Sequence, residues 1–264
     1  MTAKNNLNKA PPGRNPVSIG SANNGPLSGI PAAGGRGLNS NTLKNIAIIA
    51  MFFDHLFSVF IPFGTPLWVL LRIPGRVVMP IMCYQIAGGF SYTSNLKKYA
   101  GRLLVFAMIS HLPYDLYFKE NIWFKTSAMW GLFLGLAALA AVKKTNWHIA
   151  LKIAAVVLLC IMAWPADWKY VSVLWVLFFG LFHGRRDLQM LSFALVGIFG
   201  HIIPRIIQGG LPYVYEIGIF IAVPLLLLYN GKQGKKSKFI KWGFYVFYPL
   251  HLILLYIIRI ITGI

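Results

Sequence analysis

Asp54 and His55 stand side by side in the apolar run from Leu43 to Ile61, where neither side chain can be left without a partner. An ionisable group at the centre of a spanning helix costs about 3 kcal/mol or more unless another element compensates it. Neighbouring residues on a helix point about 100° apart, so the two must address different partners. An imidazole that titrates near neutrality can take a proton from an attacking nucleophile. A carboxylate can hold an arginine or a second imidazole in place and keep it charged.

The chain supplies candidates at helical spacing. Arg72 and Arg76, His111 and Asp115, and His201 and Arg205 are each four residues apart, and Tyr248 lies three before His251, so each couple shares a helix face. Such faces belong toward the bundle interior or a water-filled cavity, because lipid does not solvate them. An ion pair between Asp54 and Arg76 across the first two helices is the expected first contact. Plainer roles compete. Arg72 and Arg205 read equally well as arginines snorkelling to headgroups, and His201 beside Pro204 reads as a satisfied core histidine. The Asp54–Arg76 pair can be purely structural, and His148 and His183 sit at helix ends. His55, His111 and His251 resist that treatment together, because three imidazoles at one depth on three helices suit proton handling better than packing.

The elements that must position these groups are membrane spans. Of 264 residues 57% are apolar and the mean hydropathy is +0.64, more than a soluble domain of this size can bury. The fold class is therefore all-α, a polytopic transmembrane helical bundle. Its apolar runs read as nine helices, near 43–61, 67–90, 99–118, 126–142, 147–164, 168–183, 188–207, 212–229 and 239–261. The run 168–183 is short enough to be re-entrant instead. Residues 1–40 are rich in Asn, Gly, Pro and Ser and read as a disordered basic cytoplasmic tail ahead of a transmembrane domain spanning 41–264. The tail lacks the apolar core of a signal peptide, so the first helix is expected to insert the protein, with Ser40-Asn41-Thr42 as its N-cap.

Charge alternates between the runs. Lys97, Lys98 and Arg102, Lys143 and Lys144, Arg185 and Arg186, and the stretch Lys232 to Lys241 fall on the side of the tail. Few charges fall on the other side. The positive-inside rule puts the tail in the cytoplasm and the C-terminus outside. The net charge of +19 is then topology rather than nucleic-acid binding, and no nucleic-acid partner is expected. With that orientation Asp54, His55, Arg72, Arg76, His111, Asp115, His201, Arg205 and His251 all lie in the outer half of the bilayer, around a polar chamber open outward. Pro74, Gly75 and Pro80 predict a kink or break in the second helix. Cys83 and Cys160 lie in apolar runs without metal-ligand spacing and read as packing residues; no metal site is indicated. No soluble catalytic motif occurs.

The segments LKNIAIIAMFFDH, LRIPGRVVMPIMCYQIAGGFSYT, KKYAGRLLVFAMISHLPYD and FYVFYPLHLILLYI, in that order from about residue 43 to 258, resemble the TraX family, named for the F-pilin acetylation protein. The resemblance implies an inner-membrane acetyltransferase that places an acetyl group on the N-terminal amine of pilin, with acetyl-CoA as donor. The family pattern carries over to Asp54, His55, Arg72, Gly75, Arg76, Pro80, Gly89, Tyr99, Arg102, Tyr248, Pro249 and His251. More distantly, the arrangement is similar to polytopic acyltransferases in which an intramembrane histidine is central.

Together these readings assign His55 as the first candidate for general base and His251 as the second, with Arg76 facing a developing oxyanion and Asp54 orienting Arg76 or His251. Arg72, His111, Asp115 and Tyr248 are expected to line the acceptor site. Lys97, Lys98 and Arg102 are expected to meet the phosphates of acetyl-CoA from the cytoplasm. Two other functions fit the same residues. A proton-coupled transporter would use intramembrane Asp, His and Arg relays, although no internal repeat stands out. A non-catalytic pilus-assembly protein would have no need for so many buried ionisable groups.

Overall fold

The computed structural model describes residues 37–121, 123–235 and 237–264, with the side chains of 238–241 left aside. The basic tail lies outside the described residues except for its last few positions. Among the described residues the chain forms nine helical rods, joined by short turns. The first is α1, Ser40–Phe60. The second is broken: α2, Pro66–Arg72, leads through a 3₁₀ turn, Pro74–Val77, into α3, Val78–Tyr92. Then come α4, Leu96–Phe118, α5, Ala128–Lys144, α6, Ile149–Met162, and α7, Lys169–Leu181. The seventh rod is α8, Arg186–Gly197, a π turn, Ile198–Ile202, and α9, Ile203–Gly209. The eighth joins a long 3₁₀ segment, Leu211–Ile221, to α10, Ala222–Leu227. The last is α11, Lys238–Thr262.

Four helical segments among the described residues are long and apolar enough to cross a membrane: Ser40–Phe60, Pro66–Tyr92, Arg186–Gly209 and Trp242–Thr262. Ile149–Met162, Lys169–Leu181 and Leu211–Leu227 are apolar but shorter. Large apolar side chains such as Ile49, Phe53, Met108, Val157 and Ile207 point outward. Such a surface is at home in lipid, not in water. No residue of α6 is buried. By contrast α7 lies inside the bundle, packed on α3, α5 and α8, with Trp175 and Phe179 almost wholly enclosed.

The turns gather at two ends. At the basic end, Leu38 N–H donates to the Leu228 carbonyl and Asn230 N–H to the Leu38 carbonyl, Ser40 N–H donates to the Lys232 carbonyl, and Arg186 donates to the Tyr229 carbonyl at 2.9 Å and the Leu227 carbonyl at 3.4 Å. That last contact satisfies a carbonyl that the end of α10 leaves free. At the opposite end, Thr126 N–H donates to the Pro165 carbonyl and Asp167 N–H to the Thr126 carbonyl, tying the α4–α5 and α6–α7 turns together. Arg259 donates to the Tyr117 carbonyl and, at 3.0 Å, to the Ile264 carbonyl, joining the far ends of α4 and α11. The N-cap of α1 is Asn39, whose side chain accepts from Thr42 N–H. It takes the place expected of Ser40-Asn41-Thr42, because Ser40 is already helical and donates instead to Gln85.

Candidate functional site

The break in the second rod is the local event on which the site depends. Proline at 74 removes an N–H and clashes with the preceding turn, so the α-helix cannot run through. The chain crosses in 3₁₀ form and brings Arg72 and Arg76 to the same side. Gly75 is needed there, since a Cβ would collide with the Asp54 carboxylate. Gly218, on the facing 3₁₀ segment, leaves room for the Ile73 carbonyl in the same way.

Asp54 on α1 is enclosed by this corner. Arg76 Nη2 pairs with its Oδ2. Arg72 Nε lies 3.3 Å from its Oδ1, and Arg72 Nη1 donates to its backbone carbonyl at 3.0 Å. Arg72 is therefore a buried partner of Asp54 and not an arginine reaching for headgroups. Its guanidinium sits over the Trp68 and Tyr215 rings, where a desolvated cation gains from the ring faces.

A second buried carboxylate completes the network. Glu216 is fully enclosed, lies 3.5 Å from Arg76 Nη1, accepts from His201 Nε2 at 2.9 Å, and is 3.7 Å from Arg205 Nε. Sequence reasoning passed over Glu216, although a lone acid in the apolar run YVYEIGIFI was a visible signal. His201 is buried and satisfied, as a core histidine should be, and its partner is a carboxylate. It stacks on Trp168 with ring centroids 4.4 Å apart and sits in the π turn, a one-residue widening of the helix of a kind frequent at functional sites. Arg205 remains partly exposed.

His55 points to the other side of α1. Its Nδ1 is 2.8 Å from His251 Nε2, and the rings overlap with centroids 5.0 Å apart. His251 Nδ1 is 2.9 Å from the Phe247 carbonyl. A carbonyl can only accept, so Nδ1 of His251 carries the proton and, in the neutral ring, Nε2 accepts. His55 Nδ1 must then be the donor across the pair. This leaves His55 Nε2 with a free lone pair and no hydrogen bond among the described residues. Tyr117 donates to the His55 carbonyl at 2.7 Å, and Phe118 and Tyr248 wall the pair edge-on. Proline at 249 lies inside α11, two residues before His251.

The remaining expected site residues fall into two places. His111 Nε2 is 3.4 Å from Asp115 Oδ2 and its Nδ1 is 3.1 Å from Thr126 Oγ1, at the far end of α4 and not in contact with the histidine pair. Lys97 and Lys98 are exposed in the first turn of the same helix, and Arg102 lies over the Tyr99 ring. Thirteen residues of helix, roughly 20 Å at 1.5 Å per residue, separate Arg102 from Asp115.

Together these features define an integral membrane helical bundle with a polar interior built on both faces of α1. The chain belongs to the TraX protein family, whose pattern covers residues 39–259. A relative described as "Probable fimbrial assembly protein FimC, serogroup H1" of Dichelobacter nodosus is 30% identical over 237 residues, covering 81% of this chain and 92% of that protein. No solved structure matches the chain.

Proposed function

We propose that this protein is a membrane acetyltransferase that moves an acetyl group from acetyl-CoA to an acceptor amine, such as the N-terminus of a pilin. The observation that carries this reading is the His55–His251 pair, whose tautomers leave His55 Nε2 as an available base. Membership in the TraX family supports it, as does a relative whose name places it in fimbrial assembly.

In this mechanism the acceptor nitrogen attacks the thioester carbonyl while His55 Nε2 removes its proton. The charge on His55 is shared by its Nδ1–H donation to His251, which is itself held by the Phe247 carbonyl. Collapse breaks the carbon–sulfur bond, and His55 returns the proton to the departing thiolate. Arg76 faces two carboxylates, so its charge is already compensated. It serves to fix α1 against the broken second rod, and only secondarily to face an oxyanion. Tyr248 borders the histidines and, with Arg72, His111 and Asp115, belongs to the acceptor side. Lys97, Lys98 and Arg102 would meet the phosphates of the donor at the basic end, which the positive-inside rule would put in the cytoplasm. The acetyl group must then cross most of the length of α4, by an extended donor arm or by transfer through a histidine.

Purified protein supplied with acetyl-CoA and a peptide bearing a free N-terminus should release free thiol and add one acetyl mass to the peptide. Proton movement into vesicles without thiol release would instead establish a proton-coupled transporter. Neither activity, with pilus assembly impaired in a deletion strain, would establish a non-catalytic assembly protein.

A further inference from the structure

A cleft of roughly 460 Å³, open mouth included, separates the α6–α7 turn from the π turn and α9. We propose that it binds the phosphate group of a ligand, whatever reaction the histidine pair performs.

Four features converge on this cleft. First, α7 starts without a side-chain cap, because Trp168 at the N-cap makes no capping hydrogen bond. Its opening residues Lys169, Tyr170 and Val171 line the cleft; Lys169 N–H is already donated to the Ala166 carbonyl at 2.9 Å, so an anion would be drawn by the N–H groups that follow it in the first turn. Second, Lys169 is held at a left-handed φ of 46°, a conformation that non-glycine residues seldom keep without a reason. Its ammonium lies 4.7 Å above the Trp164 ring. Third, Arg205 lines the same cleft, its side chain 37% exposed and its Nε 3.7 Å from Glu216. That distance is a loose pairing, which leaves the guanidinium able to turn to a ligand. Fourth, His201 on the cleft wall donates through Nε2 to Glu216, and its Nδ1 makes no hydrogen bond among the described residues.

The charges are arranged against themselves until an anion arrives. Arg205 and Lys125 both repel Lys169. Among the described residues Asp167 is the one carboxylate lining the cleft. Topology does not explain the cations, because they gather at the end opposite the basic turns, where the positive-inside rule favours depletion. The mouth is walled by Trp164, Trp168 and Tyr170, which suits a phosphate carried on a larger body. A ligand that draws Arg205 toward itself leaves Glu216 to Arg76 and His201, and so couples the cleft to the Asp54 network.

The test uses the full chain in nanodiscs of phosphatidylcholine alone, titrated calorimetrically with glycerol phosphate. Saturable binding is expected, weaker with acetate. Lys169→Gln and Arg205→Gln should each weaken it about tenfold or more, the scale of one charge-assisted hydrogen bond. Lys169→Arg should retain it, and Lys119→Gln, on the same end but outside the cleft, should bind as the parent does. Native mass spectrometry from nanodiscs containing phosphatidylglycerol separates the sources. Retained lipid that is lost in both Gln variants and displaced by glycerol phosphate makes the ligand a lipid headgroup. Lipid retention equal in all variants, with glycerol phosphate binding intact in the parent, makes it a soluble phosphate. Binding of neither probe, equal binding by the Gln variants, or acetate binding as tight as phosphate overturns the assignment.

Discussion

His55 on α1 and His251 on α11 meet ring nitrogen to ring nitrogen at 2.8 Å across 196 residues of sequence. The contact is directional, since the Phe247 carbonyl fixes the proton on His251 Nδ1 and leaves His55 with the free lone pair. The two histidines therefore contribute unequally. In the thiol-release assay His55→Ala should lower the rate by about 10² to 10⁴, the usual loss for a positioned general base. His251→Ala should cost less, since the base survives and only its orientation and charge sharing are lost. Activity should fall as pH drops through the titration of His55, because the protonated ring cannot accept. His251→Ala being the more damaging change would reverse the assignment of base and support.

Asp54 and Arg76 should be needed for stability before they are needed for rate. Asp54 is paired with both Arg72 and Arg76, and removing one partner of a buried ion pair costs about 3–5 kcal/mol. Asp54→Asn and Arg76→Gln should each lower the unfolding temperature in detergent well beyond the shift given by a surface change such as Lys119→Gln. Replacing both by apolar residues should not restore stability, because buried Arg72 would lose its Asp54 carboxylate and Glu216 would lose Arg76, keeping His201 and the looser Arg205. A double variant as stable as the parent would show that the Glu216 contact carries no weight.

Much of this was legible. Nine rods follow from nine apolar runs, and the divergence of Asp54 and His55 follows from helical geometry alone: one faces the arginines, the other His251. The break in the second rod was announced by Pro74 and Gly75. What the sequence could not convey was irregular backbone. The π turn that carries His201 and the 3₁₀ run that carries Glu216 have no periodicity distinct from that of an α-helix over so few residues. The contact between His201 and Glu216 depends on both. Arg72 looked equally suited to the interface because snorkelling and burial call for the same residue type, and only the position of Asp54 decides between them.

Orientation is open to direct measurement. By the positive-inside rule the alternation of charge would put the N-terminus in the cytoplasm, and nine crossings would put the C-terminus outside. A reporter that requires export, fused after Ile264, should be active, and one that requires the cytoplasm should be silent. The opposite result would invert the bundle, and would place the cleft and the histidine pair on the other side of the membrane.

Gly75 gives a test of the site's geometry that leaves every titrating group in place. A methyl group there would fall on the Asp54 carboxylate, and the neighbours cannot all give way. Asp54 is held by two arginines, and behind the 3₁₀ turn the Ile73 carbonyl already abuts Gly218 with no room for a side chain. Elsewhere in the same rod Gly88 has open space around the equivalent position. Gly88→Ala should therefore be tolerated, and the better helix propensity of alanine should add up to about 1 kcal/mol. Gly75→Ala should destabilise by about 1–3 kcal/mol, the range for forcing extra volume into a packed interior. Because Asp54 and His55 are consecutive on α1, displacing one carboxylate also rotates the base. Acetyl transfer by Gly75→Ala should fall even in the fraction of protein that remains folded, as judged by size-exclusion chromatography and unfolding temperature. If the folded fraction retains the parental rate per molecule, the arginine corner does not position His55, and the two faces of α1 work independently.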